Sequence, residues 1–196
     1  MAGVILAAGD STRMGSPKAL LRVCGESFVA RLVRVARQAG VEPLRVVAGR
    51  HHDEIRTAHP DLASLLVHNP DPGLGQLHSL RLGLASLGEE ATAALVFLVD
   101  APLVKPETVR AVMEAFVRRR AVIVVPVDGG RRGHPVLFAR EVFAELFATA
   151  LADGARSVVR ACPERVHEVE VDDPGILMDV DTPDEYGRLL EHGEPN

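Results

Sequence analysis

The chain contains no tryptophan, one tyrosine and six phenylalanines, so aromatic residues fill 4% of its 196 positions. Base-stacking surfaces are built on such rings, and their scarcity argues against a single-strand nucleic-acid binder. A basic excess is missing as well: 22 Lys and Arg stand against 27 Asp and Glu, a net charge of −5. The arginines are scattered along the chain, so there is no electrostatic footprint for DNA or RNA. Cysteine is nearly absent. Cys24 and Cys162 lie far apart and outside any CxxC pair, which suits a reducing compartment better than a disulfide scaffold. No apolar run approaches the ~20 residues that cross a bilayer. The apolar N-terminal segment has no basic flank and breaks at Gly9, so it reads as a buried first strand and not as a signal peptide. A cytoplasmic protein with no membrane or nucleic-acid partner is expected.

What the chain does have is hydrophobic content of 47%, enough for one full α/β core at this length. Residues 1–191 are expected to form one domain, with a frayed tail at 192–196. Val4 to Ala8 is a short apolar run feeding a Gly/Ser/Thr-rich stretch, the pattern of a central parallel strand. Helical spacing from Phe28 to Ala39 stops at Gly40. Strands are expected at Leu44–Ala48, Leu65–Val67, Ala94–Val99, Ala121–Val125 and Val166–Val171. Helices are expected at Gln76–Leu87, from Pro106 through Phe116, and at Val142–Leu151, Ser157–Ala161 and Pro183–Leu190. Strands alternating with helices of about ten residues indicate a single-domain, three-layer Rossmann-like α/β fold with a mostly parallel sheet. The stretch from Gly129 to Phe138 interrupts the alternation and leaves room for one strand of opposite direction, making the sheet mixed.

Ligands in open α/β sheets gather beyond the carboxyl ends of the strands. Those ends carry Gly9 to Lys18, Asn69 to Ser79, Asp100 with Pro102, and Asp179 to Pro183. The first strand runs into Leu6-Ala7-Ala8-Gly9-Asp10-Ser11-Thr12-Arg13-Met14-Gly15-Ser16-Pro17-Lys18. Its small residues let backbone N–H groups approach phosphate oxygens, and Arg13 and Lys18 add two fixed positive charges. The spacing is neither a Walker A loop nor a dinucleotide Gly-x-Gly-x-x-Gly. By itself the loop could also be an ordinary strand-to-helix turn with solvated charges.

Five ordered motifs resemble the molybdenum-cofactor nucleotidyltransferases, a family within the Rossmann-like nucleotidyltransferases. They are the first loop, Gly73-Leu74-Gly75-Gln76-Leu77-His78-Ser79-Leu80, Asp100-Ala101-Pro102, Gly133-His134-Pro135, and Asp179-Val180-Asp181-Thr182-Pro183. The resemblance spans nearly the whole chain. It implies a nucleotidyltransferase in which Leu6, Ala7, Ala8, Gly9, Arg13, Lys18, Gly75 and Ser79 bind the nucleotide. Asp100 and Asp181 would hold Mg2+, a role that needs only one or two protein carboxylates. Arg13, Lys18 and Asp100 would act in catalysis, the two cations covering the charge that develops on departing pyrophosphate. His134 and Pro135 would meet the acceptor, although His134 could equally stabilise a turn. Asp100 could also cap a turn, and Thr182 could cap the last helix.

Leu6-Ala7-Ala8-Gly9 resembles the cytidylyl branch, whereas the guanylyl branch usually carries Leu-Ala-Gly-Gly. The extra methyl leaves less room for a purine, so CTP is expected ahead of GTP. The implied acceptor is the terminal phosphate of molybdopterin, with a molybdoenzyme or its maturation factor as a further partner. Val99 stands where the family often has Gly, and Leu74 with Gln76-Leu77 stands where a Gly-Met pair is common. These departures keep a sugar or polyol phosphate acceptor open, and a non-catalytic molybdopterin-binding chaperone is a third reading. Elsewhere, His51-His52-Asp53 with His59 lacks a metal-binding pattern and reads as a solvated loop and helix start. Arg118-Arg119-Arg120 reads as the basic end of its helix.

Overall fold

In the computed structural model, which describes residues 1–11, 14–148, 153–161 and 163–192 (His192 without its side chain), β1 (Ala2–Ala7) is buried along its whole length. Its side chains alternate between two cores: Ile5 and Ala7 belong to one, and Ala2, Val4 and Leu6 to the other. That is the two-residue period of a strand covered on both faces. β1 pairs in parallel with β4 (Leu44–Ala48) and β6 (Ala93–Leu98). β5 (Leu66–His68) extends the sheet beyond β4. On the other side β9 (Val136–Ala139) runs antiparallel between β6 and β7 (Ile123–Asp128), and β10 (Val166–Glu170) closes the sheet parallel to β7. The order is β10-β7-β9-β6-β1-β4-β5, with β8 (Arg131–Arg132) alongside β7. The strand of opposite direction expected between Gly129 and Phe138 is β9.

One face is covered by α1 (Phe28–Gln38), α2 (His52–Ala58), α4 (Pro106–Arg119) and α7 (Pro183–His192), which bury Phe28, Leu32, Ile55, Val109, Val112 and Leu189. The other is covered by α3 (Gln76–Ala85), α5 (Phe143–Phe147) and α6 (Ala155–Ala161), which bury Leu80, Leu84, Leu146 and Val158. The fold is thus the expected three-layer Rossmann-like arrangement. α3 rides unusually close to β1: a Cβ at Gly83 would lie 2.4 Å from the Val4 side chain, so only glycine fits there.

Two local features differ from expectation. The helix expected over Val142–Leu151 is a short turn at Arg140–Val142 followed by α5, which ends at Phe147 with Ala148 extended; residues 149–152 lie outside the described residues. Arg81 explains the early stop, because its guanidinium donates to the carbonyls of Leu146 and Ala148. A small hairpin, β2 (Arg22–Val23) with β3 (Glu26–Ser27), was not expected. Cys24 and Gly25 turn it, at φ 51° and 76°, the double left-handed geometry of a tight hairpin. Ser27 then caps α1 by accepting from the Ala30 N–H at 3.3 Å. Of the expected tail, residues 193–196 lie outside the described residues, as does Cys162. No described helix is long and apolar enough to cross a membrane.

Candidate active site at the strand ends

Four polar segments meet beyond the carboxyl ends of β1, β4, β5 and β6. The first loop leaves β1 through Ala8 and Gly9 and is folded back where the Lys18 N–H donates to Ser11 Oγ at 3.0 Å. The segment after β5 is anchored by Asn69, fully buried, whose Nδ2 donates to Ser79 Oγ at 2.9 Å while its Oδ1 accepts the Asp71 N–H. Gly75, at φ 89°, opens α3 without any side-chain cap, so the first N–H groups of that helix are open to a ligand.

Asp100 follows β6, and the extended segment 179–181 is drawn to it by the chain itself. The Val180 N–H donates to the Asp100 carbonyl at 2.8 Å, and the Val180 side chain is buried. Asp181 then enters α7 through a capping box: Glu185 accepts from the N–H groups of Asp181 and Thr182 at 2.8 Å, and Thr182 Oγ1 accepts from the Glu185 N–H at 3.3 Å. This reciprocal pattern is worth about 1 kcal/mol per cap. The capping role read for Thr182 and the placing of Asp181 therefore coexist in one turn.

Behind this loop Asp173, 1% exposed, accepts from the Lys105 N–H at 2.8 Å, Thr108 Oγ1 at 2.6 Å and the Gly175 N–H at 3.1 Å. It joins the start of α4 to the segment that delivers Asp179 and Asp181. Gly133 packs against the same segment, since a Cβ there would sit 2.3 Å from the Ile176 carbonyl, and the His134 N–H donates to that carbonyl at 3.2 Å.

Lys18 joins the two motif carboxylates. Its Nζ is hydrogen-bonded to Asp181 and lies 3.6 Å from Asp100 Oδ2. Burial pushes the Asp100 carboxyl above its ordinary value, against the pull of Lys18 and with a further push from Asp181. Burial also raises Asp179, with Asp100 and Asp181 adding repulsion. Asp100 Oδ1 and Asp10 Oδ1 are buried and have no hydrogen-bond partner among the described residues. Among the described residues, Lys18 is shared by Asp100 and Asp181, with Asp179 close by.

Two cavities share this cluster. One, of about 350 Å3, is lined by Leu6, Ala7, Ala8, Gly9, Lys18, Gly75, Ser79, Asp100 and Asp181, with Asp10, His51 and Gln76. Every described nucleotide-site and metal-site residue expected from the sequence is therefore on one wall; Arg13 lies outside the described residues. The second cavity, of about 1110 Å3, shares Leu6, Gly75, Gln76, Leu98, Asp100 and Asp181 and adds His134, Arg156 and Asp179. His134 is half-buried on its wall, and burial followed by the charge of Arg156 lowers its pKa to about 4. Pro135 is buried and lines neither cavity.

Sequence reasoning did not single out Asp10, Gln76, Asp179 or Arg156 as site residues. Asp179 had a visible signal in the spacing Asp179-x-Asp181, whereas Arg156 had none. His52 and Asp53 pair with each other on the surface of α2, and His51 pairs with Glu54, as suits a solvated helix start.

The sequence matches the MobA-like NTP transferase domain over residues 3–169. The chain belongs to that family. It is a nucleotidyltransferase by fold and by family. The crystal structure of Rv0371c from Mycobacterium tuberculosis H37Rv is 34% identical and superposes with a TM-score of 0.87 over 97% of this chain and 98% of that one. A second crystal structure of Rv0371c, in complex with manganese, has a TM-score of 0.81 at the same identity, covering 97% of each chain. The bifunctional protein GlmU of Azorhizobium caulinodans is 34% identical over 140 residues, which cover 70% of this chain and 31% of GlmU. The chain thus spans about a third of the length of the GlmU relatives it matches.

Proposed function

We propose that the chain moves CMP from CTP onto the terminal phosphate of molybdopterin, with release of pyrophosphate and with Mg2+ held by Asp100 and Asp181. The observation that carries this reading is the Asp100–Lys18–Asp181 cluster at the seam between the two cavities. One cavity is flanked by glycine, lysine and an uncapped helix start, features that receive a triphosphate; the other is larger and has space for an acceptor. An acceptor phosphate oxygen would attack the α-phosphorus, the α–β phosphoanhydride bond would break, and pyrophosphate would leave with its electron pair. Reactions of this kind depend on positioning and charge neutralisation, and alignment alone can supply on the order of 7–11 kcal/mol.

The donor set fits a divalent cation. Asp100 and Asp181 both approach Lys18, Asp100 has a buried oxygen without a hydrogen-bond partner among the described residues, and burial favours a second positive charge there. Among the described residues no group of three or more His, Cys, Asp or Glu is arranged to hold a metal, so the ion would complete its shell with phosphate oxygens and water, as Mg2+ commonly does. When bound, it supplies charge neutralisation to the phosphates. The manganese complex of Rv0371c supports a divalent requirement. Lys18 would exchange its carboxylate partners for the leaving pyrophosphate. Arg13, in the same loop, would assist it. Ser79 keeps its hydroxyl proton available while accepting from Asn69, and can donate to the nucleotide.

Two features support the finer assignment. Ala8 lines the nucleotide cavity where the guanylyl branch usually carries glycine, and the added methyl at that position favours a pyrimidine. Leu80, Val96, Leu98, Val136 and Phe138 line the second cavity, an apolar wall better matched to a fused-ring acceptor than to a sugar. Thermal melting with Mg2+ and each of CTP, GTP, ATP and UTP tests the nucleotide. A rise with CTP alone is expected. Preference for GTP moves the protein to the guanylyl branch, and no rise with any nucleotide contradicts the reading.

A further inference from the structure

Four arginines line the larger cavity, and three already have partners. Arg81 donates to the Leu146 and Ala148 carbonyls, Arg132 to Glu168, and Arg160 to Asp153. Arg156 makes no hydrogen bond or ion pair among the described residues. It sits on α6 three and four residues before Val159 and Arg160, so the three share one helix face, and all three line the cavity. Val158, 3% exposed, buries the neighbouring face against the sheet and holds the helix in register. The charge of Arg156 is felt at His134 and Asp179, two of the titratable groups that line the cavity.

The electrostatics of that space ask for such a group. Asp100, Asp179 and Asp181 form a negative rim, and any phosphorylated acceptor must bring an anion up to it. Lys18 is engaged with Asp100 and Asp181 on the nucleotide side. Among the described arginines of the acceptor side, Arg156 is the one whose guanidinium has no hydrogen-bond or ion-pair partner and can turn to an incoming anion. A guanidinium matches a phosphate with two parallel hydrogen bonds. We infer that Arg156 recognises the phosphate of the acceptor and sets the specificity of the larger cavity for phosphomonoesters with an apolar body. The inference rests on the nucleotidyl-transfer reading only in naming that ligand an acceptor.

Phenyl phosphate serves as a probe that presumes nothing about molybdopterin. It is titrated into the nucleotide-free protein while the His134 ring resonances are followed by NMR, in the wild type and in Arg156→Gln, Arg156→Lys and Arg118→Gln. Arg156 is exposed, so its replacement leaves the fold intact, and an unchanged melting temperature checks this. A saturable His134 shift is expected in the wild type and in Arg118→Gln, which removes a distant surface charge. Arg156→Gln should weaken binding by roughly tenfold or more, the usual loss for a charge-assisted pair, with partial rescue by lysine. In turnover the same variant should raise KM for molybdopterin and leave KM for CTP unchanged. Wild-type affinity in Arg156→Gln, or no saturable shift at His134 in the wild type, overturns the inference. Arg156-dependent binding of phenyl phosphate without turnover of molybdopterin sustains it and removes molybdopterin instead.

Discussion

Replacing Asp173 should cost the protein more stability than replacing either proposed metal carboxylate, although Asp173 faces no ligand. Its two oxygens take three donors, from Lys105, Thr108 and Gly175, at 2.6–3.1 Å, and the side chain is 1% exposed. Asp173→Ala leaves three donors facing a small void. One unsatisfied buried donor costs about 1–3 kcal/mol, and because water and backbone relaxation recover part of the sum, about 3–5 kcal/mol is expected. Asp173→Asn keeps one oxygen acceptor and turns an amide NH2 toward donors, so about 2 kcal/mol is expected there. Urea unfolding followed by circular dichroism measures both, with a constant m-value as the check that only stability moved. Thr108→Val removes one donor, so its cost should shrink in the Asp173→Ala background, where that donor has already lost its acceptor. A loss below about 1 kcal/mol for Asp173→Ala at unchanged m would refute the reasoning, because it would mean the three bonds contribute nothing beyond hydration.

Other consequences can be checked alongside. His134 is held neutral, with its pKa lowered to about 4 by burial and by Arg156; the unfolded chain takes up that proton near 6.5, so stability should fall as pH drops from about 6.5 to about 4, by at most about 3 kcal/mol. Denaturant titrations of wild type and His134→Gln across that range should diverge, and parallel curves would count against a buried neutral imidazole. Asp100→Asn should leave stability equal or improved, since it removes a desolvated charge beside Asp181, while abolishing Mg2+-dependent turnover; calorimetric melting and pyrophosphate release read the two effects. Gly133→Ala should destabilise by about 2 kcal/mol or more, because its methyl would meet the Ile176 carbonyl at 2.3 Å and neither backbone can yield without moving the loop. A Gly133→Ala variant with wild-type melting would show that the segment is looser than its packing indicates.

Much of this architecture was legible because it rests on periodicity. β1 and β6 are uninterrupted apolar runs, β4 is one broken only by Arg45, and α1, α3 and α4 show helical spacing, so the layers followed from the pattern along the chain. The hairpin at Arg22–Ser27 escaped because each strand has two residues and its turn uses Cys24-Gly25 instead of an Asn-Gly signal. The early end of α5 escaped because the carbonyls that stop it are taken by Arg81, 65 residues away in sequence. The site divides in the same way. The residues of the first loop suit an anion cradle but leave a solvated strand-to-helix turn open, and nothing in the spacing says that Asp100 and Asp181 meet. The Val180–Asp100 backbone bond brings them together, and only the ordered motifs anticipated it. Arg156 was illegible, because its significance depends on what its neighbours already bind.

The central claim is that this chain joins a nucleoside monophosphate to a phosphorylated acceptor through the Asp100–Lys18–Asp181 cluster. The most direct test is pyrophosphate release from CTP with Mg2+ and molybdopterin, with the product analysed by mass spectrometry, in wild type and Asp181→Ala. The account predicts pyrophosphate and a cytidylyl–molybdopterin adduct in equal amounts from the wild type, and neither from Asp181→Ala. Pyrophosphate release that persists in Asp181→Ala, or that never requires an acceptor, would contradict it.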